Sequence, residues 1–129
     1  MILTDTSVLI DYSRTGDLHL HALFLTLPVA VCGIEWAEVL SGTRTAKART
    51  EAVRILTSFK FIPIPDTLWE KVGDNRSLLL LKGLTIPFND VVLATLAIDL
   101  DIEVWARDLH FPQMQIHLPA LKLFVEPPP

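Results

Sequence analysis

Met1-Ile-Leu-Thr-Asp5-Thr-Ser-Val-Leu-Ile-Asp-Tyr12 opens the chain, and its reading decides the fold. Ile2 and Leu3 begin a short apolar strand, Asp5 breaks the run, and from Ser7 to Ser13 the apolar spacing becomes that of a helix. The strand therefore ends at an acid, followed by the hydroxyl residues Thr6 and Ser7. In a parallel α/β sheet, ligands bind outside the C-terminal strand ends. A carboxylate there is placed to hold a metal ion rather than to support the core.

Three further acids share this unusual setting. Glu38 lies in Trp36-Ala-Glu-Val-Leu-Ser-Gly42, Asp90 in Ile86-Pro-Phe-Asn-Asp-Val-Val-Leu-Ala-Thr95, and Asp108 in Val104-Trp-Ala-Arg-Asp-Leu-His-Phe111. Each sits inside or beside an apolar run, where an ionised carboxylate is costly unless a cation or hydrogen bonds compensate it. Clustered carboxylates are the oxygen ligands that Mg²⁺ and Mn²⁺ prefer, so a shared metal explains all four at once.

The segments between these acids alternate strand with helix. A helix is predicted from Asp17, as N-cap, to Leu27, with Leu18, His21, Ala22 and Leu25 on one face and with His19 and His21 as packing or surface residues. Val29 to Val31 reads as a buried second strand, and Gly33 to Ser41 as a helix closed by Gly42 in a left-handed turn. Glu35 and Glu38 are three apart on that helix and can face one side; Glu35 is read as a solvated helix residue in preference to a fifth site carboxylate.

Arg44 to Lys60 is the most basic part of the chain and has an amphipathic pattern. Arg44, Lys47 and Arg49 are candidates for contact with a nucleic-acid backbone, set against the alternative of an ordinary solvated face. Phe61 to Ile64 is a short strand. Asp66 is the expected N-cap of a long helix that ends at Gly83, with Gly73 a possible break and Trp69 in the core. A helix then opens after Pro87 with Asn89 as N-cap and Asp90 in its first turn. Ile102 to Trp105 is the next strand, and Asp108 follows it as Asp5 follows the first. His110 is read as a positioning or surface residue. Leu121 to Val125 closes the set as an edge strand. The expectation is an α/β fold with a mainly parallel sheet and helices on both faces.

Composition narrows the functional classes. With 129 residues the chain has room for a single domain, expected over residues 1–125, before a stiff proline-rich tail at 126–129. Half the residues are hydrophobic and mean hydropathy is +0.42, which points to apolar surface meeting a partner. No stretch reaches the roughly 18 to 20 apolar residues of a membrane span. The N-terminus lacks the basic region of a signal peptide, and the single cysteine, Cys32, forms no internal disulfide, so a reducing cytoplasm is the expected compartment. The formal charge of −4 sits oddly with nucleic-acid binding. Setting the four candidate ligands aside leaves eleven of the fifteen acids against eleven Lys and Arg, a neutral remainder. Bound divalent metal would turn the acidic end into one that attracts phosphate.

Asp5-Thr-Ser with Asp11, Glu38 four before Gly42, Pro87-x-Asn-Asp90 opening an alanine-containing helix, and Arg107-Asp108-x-x-Phe111 resemble, in order and spacing, the motifs of PIN domains. They are most similar to the VapC group, the ribonuclease toxins of bacterial and archaeal toxin–antitoxin pairs. The resemblance runs from Ile2 to about Phe111 and implies a PIN-like α/β/α sandwich with the acids at one end. It implies that Asp5, Glu38, Asp90 and Asp108 form the catalytic set, with Asp5, Asp90 and Asp108 as ligands of one or two Mg²⁺ or Mn²⁺ ions. Thr6, Ser7 and Arg107 would support them. The implied activity is hydrolysis of RNA that leaves a 5′-phosphate and a 3′-hydroxyl. A VapB-like antitoxin would inhibit it by laying an apolar segment between the early helices, and the toxin would be a homodimer.

Three positions depart from the family pattern: Cys32 and Glu35 where it has hydroxyl residues, and Ala106 where Thr or Ser is frequent. They favour the alternative of a catalytically weakened PIN-like module that binds RNA or protein. A phosphatase of the haloacid-dehalogenase type wants a second Asp two after the first, where this chain has Ser7. The acidic pair, central phosphoacceptor and late lysine of a response regulator are also missing.

Overall fold

The computed structural model describes residues 1–129. It has five parallel strands: β1 (Ile2–Thr4), β2 (Val29–Val31), β3 (Lys60–Phe61), β4 (Glu103–Trp105) and β5 (Lys122–Leu123). Their order is β3-β2-β1-β4-β5. In register, Ile2 lies beside Val29 on one side and Glu103 on the other. The chain builds outward from β1 to β3, then returns to place β4 on the other side of β1. The junction of β1 with β4 is thus the topological switch point, where doubly wound sheets open a crevice for ligands.

Alternation along these short strands creates two cores, because successive side chains point to opposite faces. Leu3, Ala30, Cys32 and Val104 enter a cluster of 19 buried residues, whereas Ile2, Val29, Val31 and Trp105 enter one of 10. The larger core is covered by α5 (Leu68–Leu81), α6 (Phe88–Leu100) and α7 (His110–His117). The smaller lies under α1 (Thr6–Thr15), α2 (Leu18–Thr26) and α4 (Ala46–Thr57), while α3 (Gly33–Ser41) sends Trp36, Val39 and Leu40 toward it. The result is the parallel sheet with helices on both faces predicted from the alternation, and the α/β/α sandwich that the family resemblance implied. No helix is long and apolar enough to cross a membrane.

α6 is the central helix of the larger layer, buried without interruption from Asp90 to Ala97. Complete burial of one Leu or Val contributes about 1.5 to 3 kcal/mol. This helix therefore anchors Asp90 firmly at its N-terminal end.

Several local expectations are corrected. α5 is flanked by Thr67 rather than Asp66 and continues through Gly73, where the packing of Leu68, Val72 and Leu79 outweighs the roughly 1 kcal/mol cost of a helical glycine. Trp69 is exposed, not core. α6 is flanked by Pro87, with Asn89 already inside it, and Gly42 is right-handed at φ −86°. On α2 the buried residues are Leu20 and Leu23, leaving Leu18 and Leu25 in solvent. β3 and β5 are shorter than predicted and β3 begins one residue earlier; α7 has no counterpart in the sequence reading.

Candidate metal centre

Asp5 leaves the end of β1 with its backbone N–H bonded to the Trp105 carbonyl of β4 at 2.7 Å, which holds it at the switch point. It is the N-cap of α1: its Oδ2 accepts from the Ser7 N–H at 3.1 Å and the Ser7 hydroxyl at 2.6 Å. The same Ser7 oxygen accepts the Arg107 N–H at 3.0 Å. One hydroxyl thereby ties the acid after β1 to the loop after β4, the loop that carries Asp108.

Glu38 arrives from α3, held at Oε1 by the Thr6 hydroxyl at 3.1 Å. Asp90 stands in the first turn of α6. Burial pushes the Asp5 carboxyl up to about 6 against the opposing Ser7 hydrogen bonds, and repulsion from Asp90 and Asp108 adds to the rise. Asp90 is also raised: burial outweighs the opposing hydrogen bond to His110, and repulsion from Asp108 and Glu38 adds to the rise. Carboxylates from four separate segments thus share one electrostatic field.

Whether a divalent cation fits can be judged from their partners. Asp5 is 3% and Asp90 8% exposed, and no lysine or arginine pairs with Asp5, Glu38, Asp90 or Asp108. Buried charges are ordinarily paired or bound to metal. Carboxylates without a lysine or arginine partner are the donor chemistry of Mg²⁺ and Mn²⁺, so the residues fit such an ion, although Asp5 and Glu38 fall outside the tight group that Asp90 and Asp108 form with His110.

His110 joins the acids. Its Nδ1 lies 2.7 Å from Asp90 Oδ2 and 3.8 Å from Asp108 Oδ1, and its backbone N–H donates to Asp108 Oδ1 at 3.0 Å. One donor atom from each of Asp90, Asp108 and His110 can be chosen so that all lie within 4.8 Å of one another. The only sequence signal for this was the two-residue spacing from Asp108; contact with Asp90 depends on the start of α7.

Glu35 is fully buried, not solvated as its helical position suggested. Its Oε2 accepts from the Cys32 N–H at 2.8 Å and its Oε1 from the Cys32 thiol at 3.0 Å, so it turns back on the start of α3. Burial raises its carboxyl to about 7 despite those hydrogen bonds. It also pushes the Cys32 thiol up.

Arg107 binds carboxylates rather than standing free: Glu126 accepts at 2.6 and 2.9 Å and Asp11 at 3.2 Å. The tail is thus tied down at Glu126, and the Pro127 carbonyl meets His19 Nε2 at 2.8 Å. Arg44, before α4, and Lys47 and Arg49 on its first turns are exposed and make no ion pair.

A family model described as the PIN domain matches residues 2–116. No curated protein matches the sequence. Among solved structures, VapBC2 from Rickettsia felis, bound to a DNA fragment from its promoter, is 21% identical, with 96% of this chain and 98% of that one covered at TM-score 0.79. FitAcB from Neisseria gonorrhoeae is 22% identical over 98% of both chains, at TM-score 0.76. VapC20 from Mycobacterium tuberculosis, a toxin that cleaves the sarcin-ricin loop, is 19% identical over the whole of both chains, at TM-score 0.66. At these identities the likeness establishes a shared fold.

Proposed function

Since this chain belongs to the PIN domain family, we propose that it is a metal-dependent endoribonuclease, a VapC-type toxin restrained by a cognate antitoxin. The observation that carries this reading is that buried Asp5 and Asp90, both raised first by burial, feel repulsion from Asp108, and Asp90 also from Glu38, with no lysine or arginine paired to any of the four. A stable fold has little reason to assemble four acids at its switch point unless a cation completes them.

Asp5, Asp90 and Asp108 would hold Mg²⁺ or Mn²⁺, with Glu38 completing the catalytic set. A divalent cation bound there supplies Lewis-acid stabilisation of charge on a phosphodiester and makes water more acidic. The chain's own residues arrange the setting. Ser7 fixes the rotamer of Asp5, Thr6 fixes Glu38, and α6 presents Asp90 from a rigid buried helix. Positioned Glu38 can accept a proton from attacking water, a role that requires its held geometry. Arg44, Lys47 and Arg49, unpaired at the start of α4, are suited to the RNA backbone.

Inhibition has a place in the same architecture. A cavity of about 440 Å³ lies among Leu9, Ile10, Val39, Ala52 and Ile55, and Glu38 lines its wall. An antitoxin segment with an apolar face could fill it and carry a basic side chain to the acids. Exposed Trp69, Leu80, Leu81 and Phe88 on α5 and the start of α6 give a surface for the proposed homodimer. Ala106 favours the alternative of a weakened binding module, because it brings no hydroxyl to the end of β4.

Purified protein should cut RNA in Mg²⁺ or Mn²⁺ and stop on chelation, and Asp5→Asn should abolish the cutting. Equal cutting by wild type and variant identifies a contaminating nuclease and defeats the assignment.

A further inference from the structure

We infer that His110 is a direct ligand of the bound cation, making the centre a mixed carboxylate–imidazole site that selects Mn²⁺ over Mg²⁺. This rests on the metal-dependent reading above and deepens it.

The placement of His110 is the first argument. Its Nδ1 sits 2.7 Å from Asp90 Oδ2 and 3.8 Å from Asp108 Oδ1. Ligands about 2.1 Å from an octahedral ion lie roughly 3 Å apart when adjacent and 4.2 Å apart when opposite. The observed spacings fall close to that range, so release of the proton shared between Nδ1 and Asp90, with the other ring nitrogen keeping its own, and modest adjustment around an ion bring all three donors into contact with it.

The second argument is rigidity. His110 opens α7, whose Phe111 and Met114 are completely buried in the larger core, and its own N–H is bonded to Asp108. The ring is therefore carried on a fixed element and meets the acids without a loop having to move. Its side chain is 41% exposed while that of Asp90 is 12%, so it forms the outer wall of the cluster, on the side open to an entering ion.

Selectivity follows from ligand chemistry. Mg²⁺ is a hard ion that favours oxygen and keeps its water, whereas imidazole suits the transition metals. Replacing one oxygen donor by nitrogen shifts relative affinity toward Mn²⁺.

The test uses Mn²⁺ itself on the full chain. Electron spin-echo modulation of the Mn²⁺ protein should show a directly bound ¹⁴N that is replaced by ¹⁵N when histidine is isotopically labelled, a measurement requiring no variant. His110→Gln should remove the nitrogen signal and weaken Mn²⁺ about tenfold by calorimetry while changing Mg²⁺ affinity far less. Mn²⁺ bound at the acids with no nitrogen coupling, or with coupling unchanged in His110→Gln, overturns the ligand assignment and leaves the nuclease reading standing. Absence of Mn²⁺ binding altogether overturns both.

Discussion

The Thr6 hydroxyl donates to Glu38 Oε1 at 3.1 Å, joining the first turn of α1 to the middle of α3. Because Thr6 directly follows Asp5, one dipeptide both provides an acid and orients another. Thr6→Val keeps the buried shape and deletes the donor. The expected outcome is a fall in kcat of about 10- to 100-fold, the usual scale for losing a residue that orients a ligand, with KM for RNA little changed. Stability should drop by only about 1 kcal/mol, since half-buried Glu38 can turn to water. Steady-state kinetics on an RNA oligonucleotide, with Thr6→Ser as the variant that retains the donor, checks this.

Glu35 should make the protein less stable as pH rises. Its folded carboxyl titrates at about 7, above the ordinary 4.5, so between those values the native state binds more protons than the unfolded chain. Stability then declines from pH of about 4.5 to about 7 and levels off above, by on the order of a few kcal/mol for this group. Asp5 and Asp90, also raised, contribute slope of the same sign. Glu35→Gln retains an oxygen for the Cys32 N–H and has no charge to bury. Urea unfolding in EDTA at pH 5 and pH 8 should show a markedly smaller loss for the variant; equal losses would mean that Glu35 is not the titrating group.

Arg107 and Glu126 form a two-armed ion pair, with Asp11 as a third contact. Both side chains of the main pair are about 30% exposed or less, so loss of the pair should cost roughly 1 kcal/mol. Glu126→Gln should lower Tm slightly and loosen the tail from His19. It should also release part of the guanidinium toward phosphate, tightening RNA binding a few-fold at low salt with the gain fading as salt is raised. Binding isotherms across salt concentrations provide the measurement.

Much of the framework was legible before any coordinates. Asp5 and Asp108 announced themselves because each interrupts an apolar strand at its end, and Asp90 because it enters a helix otherwise buried for two turns. Those are local violations of hydrophobic pattern, and sequence records local pattern well. Glu35 was misread because helical spacing alone does not say whether a polar residue faces water or a neighbouring backbone N–H. The leucines of α2 were assigned to the wrong face for a similar reason: with apolar residues on nearly every side, periodicity left the buried stripe undetermined. His110 lies on a helix too short and too weakly patterned to be foreseen.

The alternation of strand and helix apart from α7, and the parallel sheet, therefore follow from the linear chain, as does the choice of acids proposed as ligands, since backbone propensity and burial act over a few residues at a time. Which atoms finally meet was a tertiary decision. The contact of His110 with Asp90, the Thr6 grip on Glu38 and the capture of Arg107 by Glu126 join residues 20, 32 and 19 positions apart. Distances of that kind are set by how two cores pack across one sheet, and no single segment carries that information.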